Sequence, residues 1–332
     1  MLYNRKLYKN NNNSTYIKMK FIKSTTTFYK KLSTIGKVLS LVAVFLIVIG
    51  ITNSVQFPAT SREGYEQNDR FLFKESTEVY DDFYSEIYDH LVFNNVKDDY
   101  EIGQIKNKTT PSSKSVILDV GCGTGHHVGK MVKSMDNSLD IIGIDISPSM
   151  ISKAKLNYPD YNFMVGNALD YDQFQPNTFT HILCLYFTLY YFENKRKFFN
   201  NCMEWLMPGG TLIVHVVNRE KFDPILPPGN PLYIVSPQKY AKKRITSTKI
   251  TFNEFVYSSN FDLDAPNNMA TFHEKFKFND GKVRKQEHKL YMESETDIIT
   301  MAQDVGFLIN GKIDLLECAY EYQYLYILMK PQ

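Results

Sequence analysis

The sequence predicts an α/β fold with a doubly wound parallel sheet, and three observations support this fold class. Five short apolar runs alternate with segments of helical periodicity between residues 116 and 217. Such alternation is typical of β-α-β units that share one parallel sheet. The first run ends in a glycine-rich turn, and the fifth begins after a Pro-Gly-Gly turn at 208–210. Hydrophobic residues are 43% of the 332 residues, which suffices for one domain with an elaboration.

The first apolar run leads into a turn with very little side-chain bulk. Val116–Val120 predicts a buried strand, and Asp119 lies near its end. Alternating glycines after such a strand let backbone N–H groups and the N-terminus of the next helix approach a ligand closely. A dinucleotide-binding turn would have its third glycine at position 126, where this sequence has His126, and Asp119 would repel a pyrophosphate. The turn consists of Gly121, Cys122, Gly123, Thr124 and Gly125.

A second buried strand is predicted at 141–145, and Ile146 follows it. Ser147 and Pro148 then predict the N-cap and the first turn of a helix. A carboxylate at the end of the second strand, about 20 residues after the glycines, is placed to bind two ribose hydroxyls. We therefore expect Asp145 to hold the ribose of a bound cofactor.

The remaining elements continue the alternation. One helix begins at Asn194, and another runs from its N-cap Ser294 to Gly306. Residues 218–292 predict a β-rich insertion, with a hairpin turn at 279–281. Further strands are predicted at 161–166, 180–186, 211–217, 307–314 and 320–329, and within the insertion at 245–257, 272–278 and 283–291.

Together these motifs resemble those of the class I S-adenosylmethionine-dependent methyltransferases. The pattern Asp-x-Gly-x-Gly-x-Gly at 119–125, the acid at Asp145 and the Pro-Gly-Gly turn carry the resemblance, which extends over about 77–330. The resemblance implies a mostly parallel, seven-stranded sheet whose last strand is antiparallel. It also implies a domain at 77–332, S-adenosyl-L-methionine as the cofactor and methyl transfer as the reaction.

The resemblance further implies a role for each polar position of the site. The glycine-loop amides and Asp119 are expected on the methionine part of the cofactor, and Asp145 on the ribose. Asn167 and the Ala168 backbone are expected on the adenine, where the family often has an acid, with Asp170 as an alternative. The expected cofactor contacts are Asp119, Gly121, Cys122, Gly123, Gly125, Asp145, Ile146, Asn167, Ala168 and Tyr186.

Three tyrosines are expected to form the substrate wall at the methyl end of the cofactor. Tyr190 and Tyr191 follow the fourth strand, and Tyr88 belongs to an amphipathic helix predicted at 79–91. That helix either covers the cofactor as a lid or only packs against the sheet.

The candidate general base is His215, because it lies near the C-terminal end of the fifth strand, where sites gather in open α/β sheets. Glu274, Glu287 and His288 could form a polar pocket wall, although a solvated strand face is the simpler interpretation. The sequence has no metal-ligand spacing and no Ser/His/Asp arrangement, so neither a metal nor acyl-enzyme chemistry is expected. Transfer from a sulfonium methyl needs neither, because the methyl is already electrophilic and only the nucleophile has to be positioned.

The acceptor is the least specified part of the prediction. Methyltransferases that modify exocyclic amines of bases carry an Asn/Asp-Pro-Pro-Tyr/Phe stretch, whereas residues 185–188 here contain no proline. Nine of the 38 basic residues lie in 1–37, which leaves 29 basic against 36 acidic residues and makes the domain a poor candidate for nucleic-acid binding. We expect a small-molecule acceptor or a membrane-associated, lipid- or quinone-like one. The alternatives are a cofactor-binding module without turnover, a nicotinamide dehydrogenase, and an RNA or protein methyltransferase.

The N-terminal segments differ in character from the domain. Residues 1–37 are basic, contain no acid and predict a disordered tail. Residues 38–55 predict a single-pass transmembrane signal anchor, followed by a linker at 56–76. A cleaved signal peptide and an organellar targeting segment are alternatives. The positive-inside rule places the domain across the membrane from the cytosol, where the cofactor is made, so the side of the membrane stays open, as does the oligomeric state.

Overall fold

The structure is a computed structural model that describes residues 71–135, 139–227 and 241–332, together with Ser33, Thr34, Gly36, Lys37 and Gln238. The chain divides into two compact units, Met1–Thr60 and Ser61–Gln332. Most of the predicted tail, the whole predicted anchor at 38–55 and residues 56–70 of the predicted linker lie outside the described residues. Within the described residues, no helix combines the length and the apolar character that crossing a membrane requires.

The described residues form twelve strands and six α-helices. The strands are β1 (Phe71–Glu75), β2 (Val116–Val120), β3 (Asp140–Asp145), β4 (Asn162–Val165), β5 (Phe179–Cys184), β6 (Leu206–Val217), β7 (Ser247–Thr251), β8 (Phe255–Asp264), β9 (Met269–Phe278), β10 (Val283–Tyr291), β11 (Leu308–Asp314) and β12 (Gln323–Met329). The helices are α1 (Asp82–Val92), α2 (Asn95–Thr109), α3 (His126–Lys133), α4 (Pro148–Asn157), α5 (Lys195–Trp205) and α6 (Glu295–Val305).

Seven strands form the central sheet, in the order β11-β12-β6-β5-β2-β3-β4. Strands β2 to β6 pair in parallel, whereas β12 is antiparallel to both β6 and β11. The predicted mostly parallel sheet with an antiparallel last strand is confirmed. Strands β3 and β4 follow β2 on one side of it, whereas β5 and β6 lie on its other side. The strand order therefore reverses beside β2, and α/β folds bind ligands at such a switch point.

Helices cover both faces of the central sheet, which explains why its strands are nearly continuous apolar runs. Helices α2, α3 and α4 pack on one face through residues such as Ile105, Met131 and Ile151. Helices α5 and α6 pack on the other face through residues such as Phe199 and Ile298. Each of these side chains is almost fully buried, and such burial contributes about 1.5–3 kcal/mol per large apolar side chain.

The helix ends agree with the predicted capping residues. The Ser147 hydroxyl accepts a hydrogen bond from the N–H of Met150 over 3.1 Å at the start of α4. The Ser294 hydroxyl accepts one from the N–H of Asp297 over 3.2 Å at the start of α6. Gly306 ends α6 with φ of +115°, a backbone conformation that residues other than glycine rarely adopt.

The predicted β-rich insertion forms a second, five-stranded sheet in the order β1-β10-β9-β8-β7. The single strand predicted at 245–257 is two strands, β7 and β8, because the chain turns at 252–254 and the N–H of Phe252 donates to the carbonyl of Phe255. Strand β1 lies in the segment 56–76 that the sequence predicts as a linker. It pairs in parallel with β10 and satisfies backbone groups that would otherwise form an open sheet edge.

The helix predicted at 79–91 corresponds to α1 and to the 3₁₀ turn Ser76–Val79 before it. Phe83 of α1 packs against Phe276 and Phe278 of the insertion, with ring centroids 5.3 and 5.6 Å apart. Arg284 of β10 donates a hydrogen bond over 2.8 Å to the carboxylate of Asp81, the N-cap of α1. The insertion therefore holds α1 in place through both apolar and ionic contacts.

Candidate active site

A cavity of about 530 Å³ lies at the carboxyl edge of the central sheet. This is an ordinary volume for a small-molecule or cofactor site. The loops after β2, β3, β4 and β5 line the cavity together with α1 and the insertion. Nine of the ten residues predicted to contact the cofactor line it, namely Asp119, Gly121, Cys122, Gly123, Asp145, Ile146, Asn167, Ala168 and Tyr186.

The glycine loop is fixed to the end of β3, because the N–H of Gly121 donates to the carbonyl of Ile144 over 2.8 Å. Gly121 has φ of +70°, and a Cβ at this position would overlap the side chain of Thr188. Gly125 has φ of +86°, and a Cβ there would lie 2.7 Å from the ring of Phe163. Both positions need glycine for conformation and for space. Gly125 is the predicted contact that does not line the cavity, since it only turns the chain into α3.

The carboxylate of Asp145 is held in position by the backbone of two loops. Its Oδ2 accepts a hydrogen bond from the N–H of Gly123 over 3.0 Å, and its Oδ1 accepts one from the N–H of Ser147 over 2.9 Å. Burial raises the pKa of Asp145, while the hydrogen bonds from Ser147, Gly123 and Ile146 oppose this shift. The carboxylate thus links the glycine loop to the end of β3, where a ribose is expected.

Asp119 lies at the base of the cavity and is 2% exposed. Burial raises the pKa of its carboxyl to about 7, although the nearby His127 ring acts in the opposite direction. A buried carboxyl of this kind is ionised most readily when a positively charged group lies next to it.

Three titratable side chains from α2 and α3 line the same part of the cavity, namely Lys97, Asp98 and His127, and the buried Glu101 contacts two of them. The Lys97 Nζ lies 2.8 Å from Glu101 Oε2, and the His127 Nε2 lies 3.0 Å from that oxygen. Burial alone would raise the pKa of Glu101, but Lys97 and His127 hold it at about 2. Ligand atoms of Asp98, Glu101 and His127 lie within 4.8 Å of one another and could hold a metal ion. Lys97 already supplies positive charge here, so the cluster is better suited to an amino-acid zwitterion than to a second cation.

The predicted adenine contacts lie after β4. The Asn167 Oδ1 accepts a hydrogen bond from the N–H of Leu169 over 3.0 Å, and its Nδ2 donates to Asp170 over 3.3 Å. An amide oxygen has two lone pairs, so one remains for an exocyclic amine. Ala168 is buried, and its carbonyl accepts from Asn201 Nδ2 over 2.9 Å. Asp170, the alternative contact, is not part of the cavity lining.

The structure contradicts the predicted role of His215 as general base. His215 is fully buried behind Tyr186 and is not part of the cavity lining. Its Nδ1 contacts the carbonyl oxygen of Tyr186, and its Nε2 lies 3.0 Å from the amide oxygen of Gln323. Burial and the charge of Lys97 lower the pKa of His215 to about 4. Both ring nitrogens are therefore committed to structural contacts.

The predicted substrate wall is only partly formed as expected. Tyr190 is fully buried, and its hydroxyl accepts a hydrogen bond from the N–H of Val217 over 2.8 Å, so it belongs to the core. Tyr88 and Tyr191 line the cavity, as does Tyr186. Tyr186 has φ of +50°, a strained conformation for a residue with a side chain, and strain of this kind is concentrated at functional sites.

Comparisons with known proteins agree with this geometry. Residues 117–210 match the family model described as a methyltransferase domain. The chain is 28% identical over 149 residues to the dTDP-4-amino-2,3,4,6-tetradeoxy-D-glucose N,N-dimethyltransferase of Saccharopolyspora spinosa. The matched region covers 43% of this chain and 57% of that protein. The CcbJ methyltransferase of Streptomyces caelestis has a TM-score of 0.57 at 15% identity, over 76% of this chain and 98% of that one. The S-adenosylmethionine-bound amino pentose methyltransferase CalS10 of Micromonospora echinaspora has a TM-score of 0.51 at 16% identity, over 72% and 92%.

Residues 117–210 thus carry a methyltransferase domain, and the chain has the fold of the S-adenosylmethionine-bound methyltransferase CalS10. The predicted family, enzyme class and cofactor are thereby confirmed. The structural likenesses show the fold, and the chain spans little more than half the length of the curated relative from Saccharopolyspora spinosa.

The insertion contains a buried polar network where the sequence favours a solvated strand face. Glu274 and His288 are each 2% exposed, and the His288 Nε2 lies 2.6 Å from Glu274 Oε2. The His288 Nδ1 lies 2.7 Å from the hydroxyl of Tyr191. Tyr257 and Gln286 donate further hydrogen bonds to the Glu274 carboxylate. The hairpin turn at 279–281 is the sequence feature that could have indicated this network, because its register places Gln286 of β10 opposite Glu274 of β9.

Proposed function

We propose that this protein transfers a methyl group from S-adenosyl-L-methionine to a small-molecule acceptor. One observation supports the proposal most: a single cavity joins two differently built halves. The cofactor half is lined by 119–124, 145–146 and 167–168. The acceptor half is lined by Phe187, Phe222, Ile225, Leu226, Phe261, Phe272, His288 and Leu290.

The chemistry of the acceptor half favours an acceptor with a substantial apolar part. Its wall is mainly aromatic and aliphatic, and charged side chains such as Asp223 and Lys289 are few. An apolar wall of this kind excludes water and suits a reaction in which charge is dispersed in the transition state. The Saccharopolyspora relative is named as an N,N-dimethyltransferase of an amino sugar, which supports an amine as the acceptor atom.

In the proposed mechanism, S-adenosylmethionine would supply an electrophilic methyl group, and the acceptor's nucleophile would attack its carbon in line with the departing sulfur. The protein contributes by orientation, because fixing two reactants can be worth about 7–11 kcal/mol of the barrier. Asp145 would hold the ribose hydroxyls, and Asn167 would hold the adenine amine. Lys97 would donate to the carboxylate of the methionine part, and Asp119 would accept from its amino group. These positions fit the cofactor, because the Asp145 carboxylate and the glycine loop are held together by their own hydrogen bonds.

Calorimetric titration with S-adenosylmethionine tests the cofactor assignment. We expect Asp145→Ala to weaken binding by about 1–3 kcal/mol, because the ribose hydroxyls and the N–H of Gly123 lose their acceptor. The matched control is Asp140→Ala, at the exposed opposite end of the same strand, which should leave the dissociation constant unchanged. Equal dissociation constants for the wild type and Asp145→Ala would refute the assignment.

Transfer of a labelled methyl group tests the reaction. The expected acceptors are small amines and phenols with an apolar body, and RNA and protein serve as opposing acceptors. Methylation of RNA alone would overturn the small-molecule proposal. Cofactor binding without any turnover would indicate a binding module instead.

We also propose that the segment 38–55 attaches the protein to a membrane as a single-pass anchor. The support is its apolar composition between a basic tail and a polar linker. Carbonate extraction of membranes from cells that express the full chain tests the proposal, because recovery of the chain in the soluble fraction would contradict it.

A further inference from the structure

We propose that Tyr191, His288 and Glu274 form a proton relay that removes the proton from the acceptor's nucleophile during methyl transfer. The inference rests on the proposed function and assigns residues to its proton-transfer step. Glu274 lies on β9, His288 on β10 and Tyr191 in the 3₁₀ turn after β5. The three residues therefore come together only because the insertion packs against the central sheet.

The distances form a continuous chain from the cavity to the buried acid. The Tyr191 hydroxyl lies 2.7 Å from His288 Nδ1, and the His288 Nε2 lies 2.6 Å from Glu274 Oε2. Tyr191 and His288 both line the cavity, whereas Glu274 lies behind them and is 2% exposed. The hydroxyl of Tyr80 donates to the Tyr191 oxygen over 2.7 Å.

The hydrogen bonds around Glu274 determine the tautomer of His288. Tyr257 and Gln286 both donate to the Glu274 carboxylate. Burial would raise the pKa of Glu274, but His288 and these hydrogen bonds hold it below its usual range. An ionised carboxylate accepts hydrogen bonds only, so the Nε2 of His288 carries a proton, and in the neutral ring that the relay requires Nδ1 has a lone pair.

The lone pair on Nδ1 determines the direction of the remaining bonds. Tyr191 donates its hydroxyl proton to His288, and burial raises the pKa of Tyr191, which keeps that proton on the oxygen in the resting state. A phenol oxygen has two acceptor sites, and Tyr80 occupies one of them. The second site is available to an N–H or O–H of the acceptor.

Methyl transfer through the relay conserves both protons and charge. The acceptor nitrogen or oxygen forms a bond to the methyl carbon, and the carbon–sulfur bond breaks with its electron pair going to sulfur. The acceptor proton moves to the Tyr191 oxygen, and the former Tyr191 proton moves to His288 Nδ1. The resulting imidazolium is stabilised by the Glu274 carboxylate. The positive charge of the sulfonium is thus replaced by a positive charge on His288.

The relay also restricts the class of acceptor. It acts only on a nucleophile that carries a proton to be lost, such as an amine with an N–H or a hydroxyl group. Tertiary amines and thioethers would gain nothing from it.

The titratable groups around His288 are Glu274 on β9, Tyr191 after β5, Tyr80 before α1 and Tyr84 within α1.

Nitrogen NMR of ¹⁵N-histidine-labelled full chain tests the relay without any acceptor, with His288 assigned by loss of its signals in His288→Gln. We expect a neutral ring protonated at Nε2, with an Nδ1 signal that shifts in Tyr191→Phe. A ring protonated at Nδ1, or at both nitrogens at neutral pH, would overturn the proposal. Tyr171→Phe, which alters an exposed ring away from the cavity, is the matched control and should leave the signal unchanged.

The second measurement is the pH dependence of methyl transfer to a series of 4-substituted phenols and 4-substituted anilines. We expect Tyr191→Phe and His288→Gln to lower kcat by roughly 10² to 10⁴-fold and to abolish the acidic limb of the profile, with KM for S-adenosylmethionine nearly unchanged. Glu274→Asp should retain more of kcat than Glu274→Gln, because Glu274 acts through His288 as a positioning residue. His273→Gln, on the same strand but half-exposed, should match the wild type.

The NMR measurement and the kinetic measurement together distinguish failure of the relay from failure of the proposed function. If the wild type methylates a probe and Tyr191→Phe retains its kcat and its pH profile, the relay is wrong and the function stands. If the wild type methylates none of the probes, the acceptor class is wrong. The tautomer of His288 still decides whether the relay is formed.

Discussion

The cofactor half and the acceptor half of the cavity are built in different ways. In the cofactor half, the groups available to a ligand are mainly backbone N–H groups and carboxylates at the ends of parallel strands, such as Asp119 and Asp145. In the acceptor half they are side chains from an antiparallel sheet, such as Phe261 and His288. The first half depends on one backbone conformation, and the second depends on packing and on a fully satisfied polar network.

This difference predicts opposite sensitivities to mutation. Substitutions that change backbone conformation should damage the cofactor half most. Substitutions that remove one partner of a buried polar pair should damage the acceptor half most, because the remaining partner is left without compensation. Matched pairs of variants can test each statement.

The largest effect is expected for Gly125→Ala in the cofactor half. An alanine at φ of +86° costs about 1–2 kcal/mol in conformation. Its Cβ would lie 2.7 Å from the buried Phe163 ring, which adds about 1–3 kcal/mol for overpacking. We therefore expect the free energy of unfolding to fall by about 2–5 kcal/mol, as measured by urea denaturation, together with weaker cofactor binding.

Gly281 offers a matched control in the insertion. It has the same φ of +86°, but a Cβ there would meet nothing within 4 Å. Gly281→Ala should therefore lose only the conformational part, about 1–2 kcal/mol, and should bind the cofactor normally. Equal losses for the two variants would show that the close approach of Gly125 to Phe163 has no energetic role.

The next largest effect is expected for Arg284→Met, where the insertion is attached to α1. Arg284 is 2% exposed and donates to Asp81 over 2.8 Å, to Gln286 over 2.7 Å and to the carbonyl of Val79 over 3.0 Å. Removing it takes a charged donor away from Asp81, Gln286 and the Val79 carbonyl, and we expect the free energy of unfolding to fall by about 2–4 kcal/mol. In kinetics, KM for the acceptor should rise more than KM for the cofactor.

Arg196→Met is the control for this prediction. Arg196 forms an ion pair of similar length, 2.9 Å, with Asp304, but both side chains are about half exposed. Exposed pairs of this kind contribute about 0–1 kcal/mol. Denaturation curves that respond equally to both substitutions would mean that the buried contacts of Arg284 do not hold the insertion.

The cofactor half was predictable from the sequence because its determinants are contiguous. The apolar strand, Asp119 and the alternating glycines lie within ten residues, and Asp145 follows at a distance set by one helix and one strand. Backbone conformation at such glycines depends on local sterics, so no knowledge of distant residues was needed.

The acceptor half was not predictable in the same way. The buried face of β10 carries Arg284, Gln286 and His288, and an alternating polar pattern of this kind is typical of a solvated face. It is buried because α1 and the turn after β5 cover it, which the local pattern does not reveal. The prediction of His215 as general base was wrong for a related reason. Both faces of β6 are buried around His215, so alternation of polar and apolar residues cannot indicate which side chains reach the cavity.

The smallest effect, the pH dependence due to Asp119, distinguishes the two halves most directly. Burial raises the pKa of this carboxyl to about 7, so the folded protein holds its proton between about pH 4 and 7 while the unfolded chain has released it. This group therefore favours the folded state of the empty protein at low pH, and its contribution is lost as the pH rises through 7. A cofactor amino group, protonated below about pH 7.7, requires the ionised carboxyl instead.

Cofactor affinity should therefore fall as the pH decreases below 7, by at most about tenfold, or 1.4 kcal/mol, per pH unit. Calorimetry in buffers of different ionisation enthalpy should detect release of one proton on binding at pH 6. Asp119→Asn should bind more weakly at pH 8 and should lose the slope, whereas Asp140→Asn should keep it. Since the acceptor half contributes nothing to this proton, Tyr191→Phe should also keep the slope. A slope that persists in Asp119→Asn would show that another group of the cofactor half, such as His127, governs the binding of the amino group.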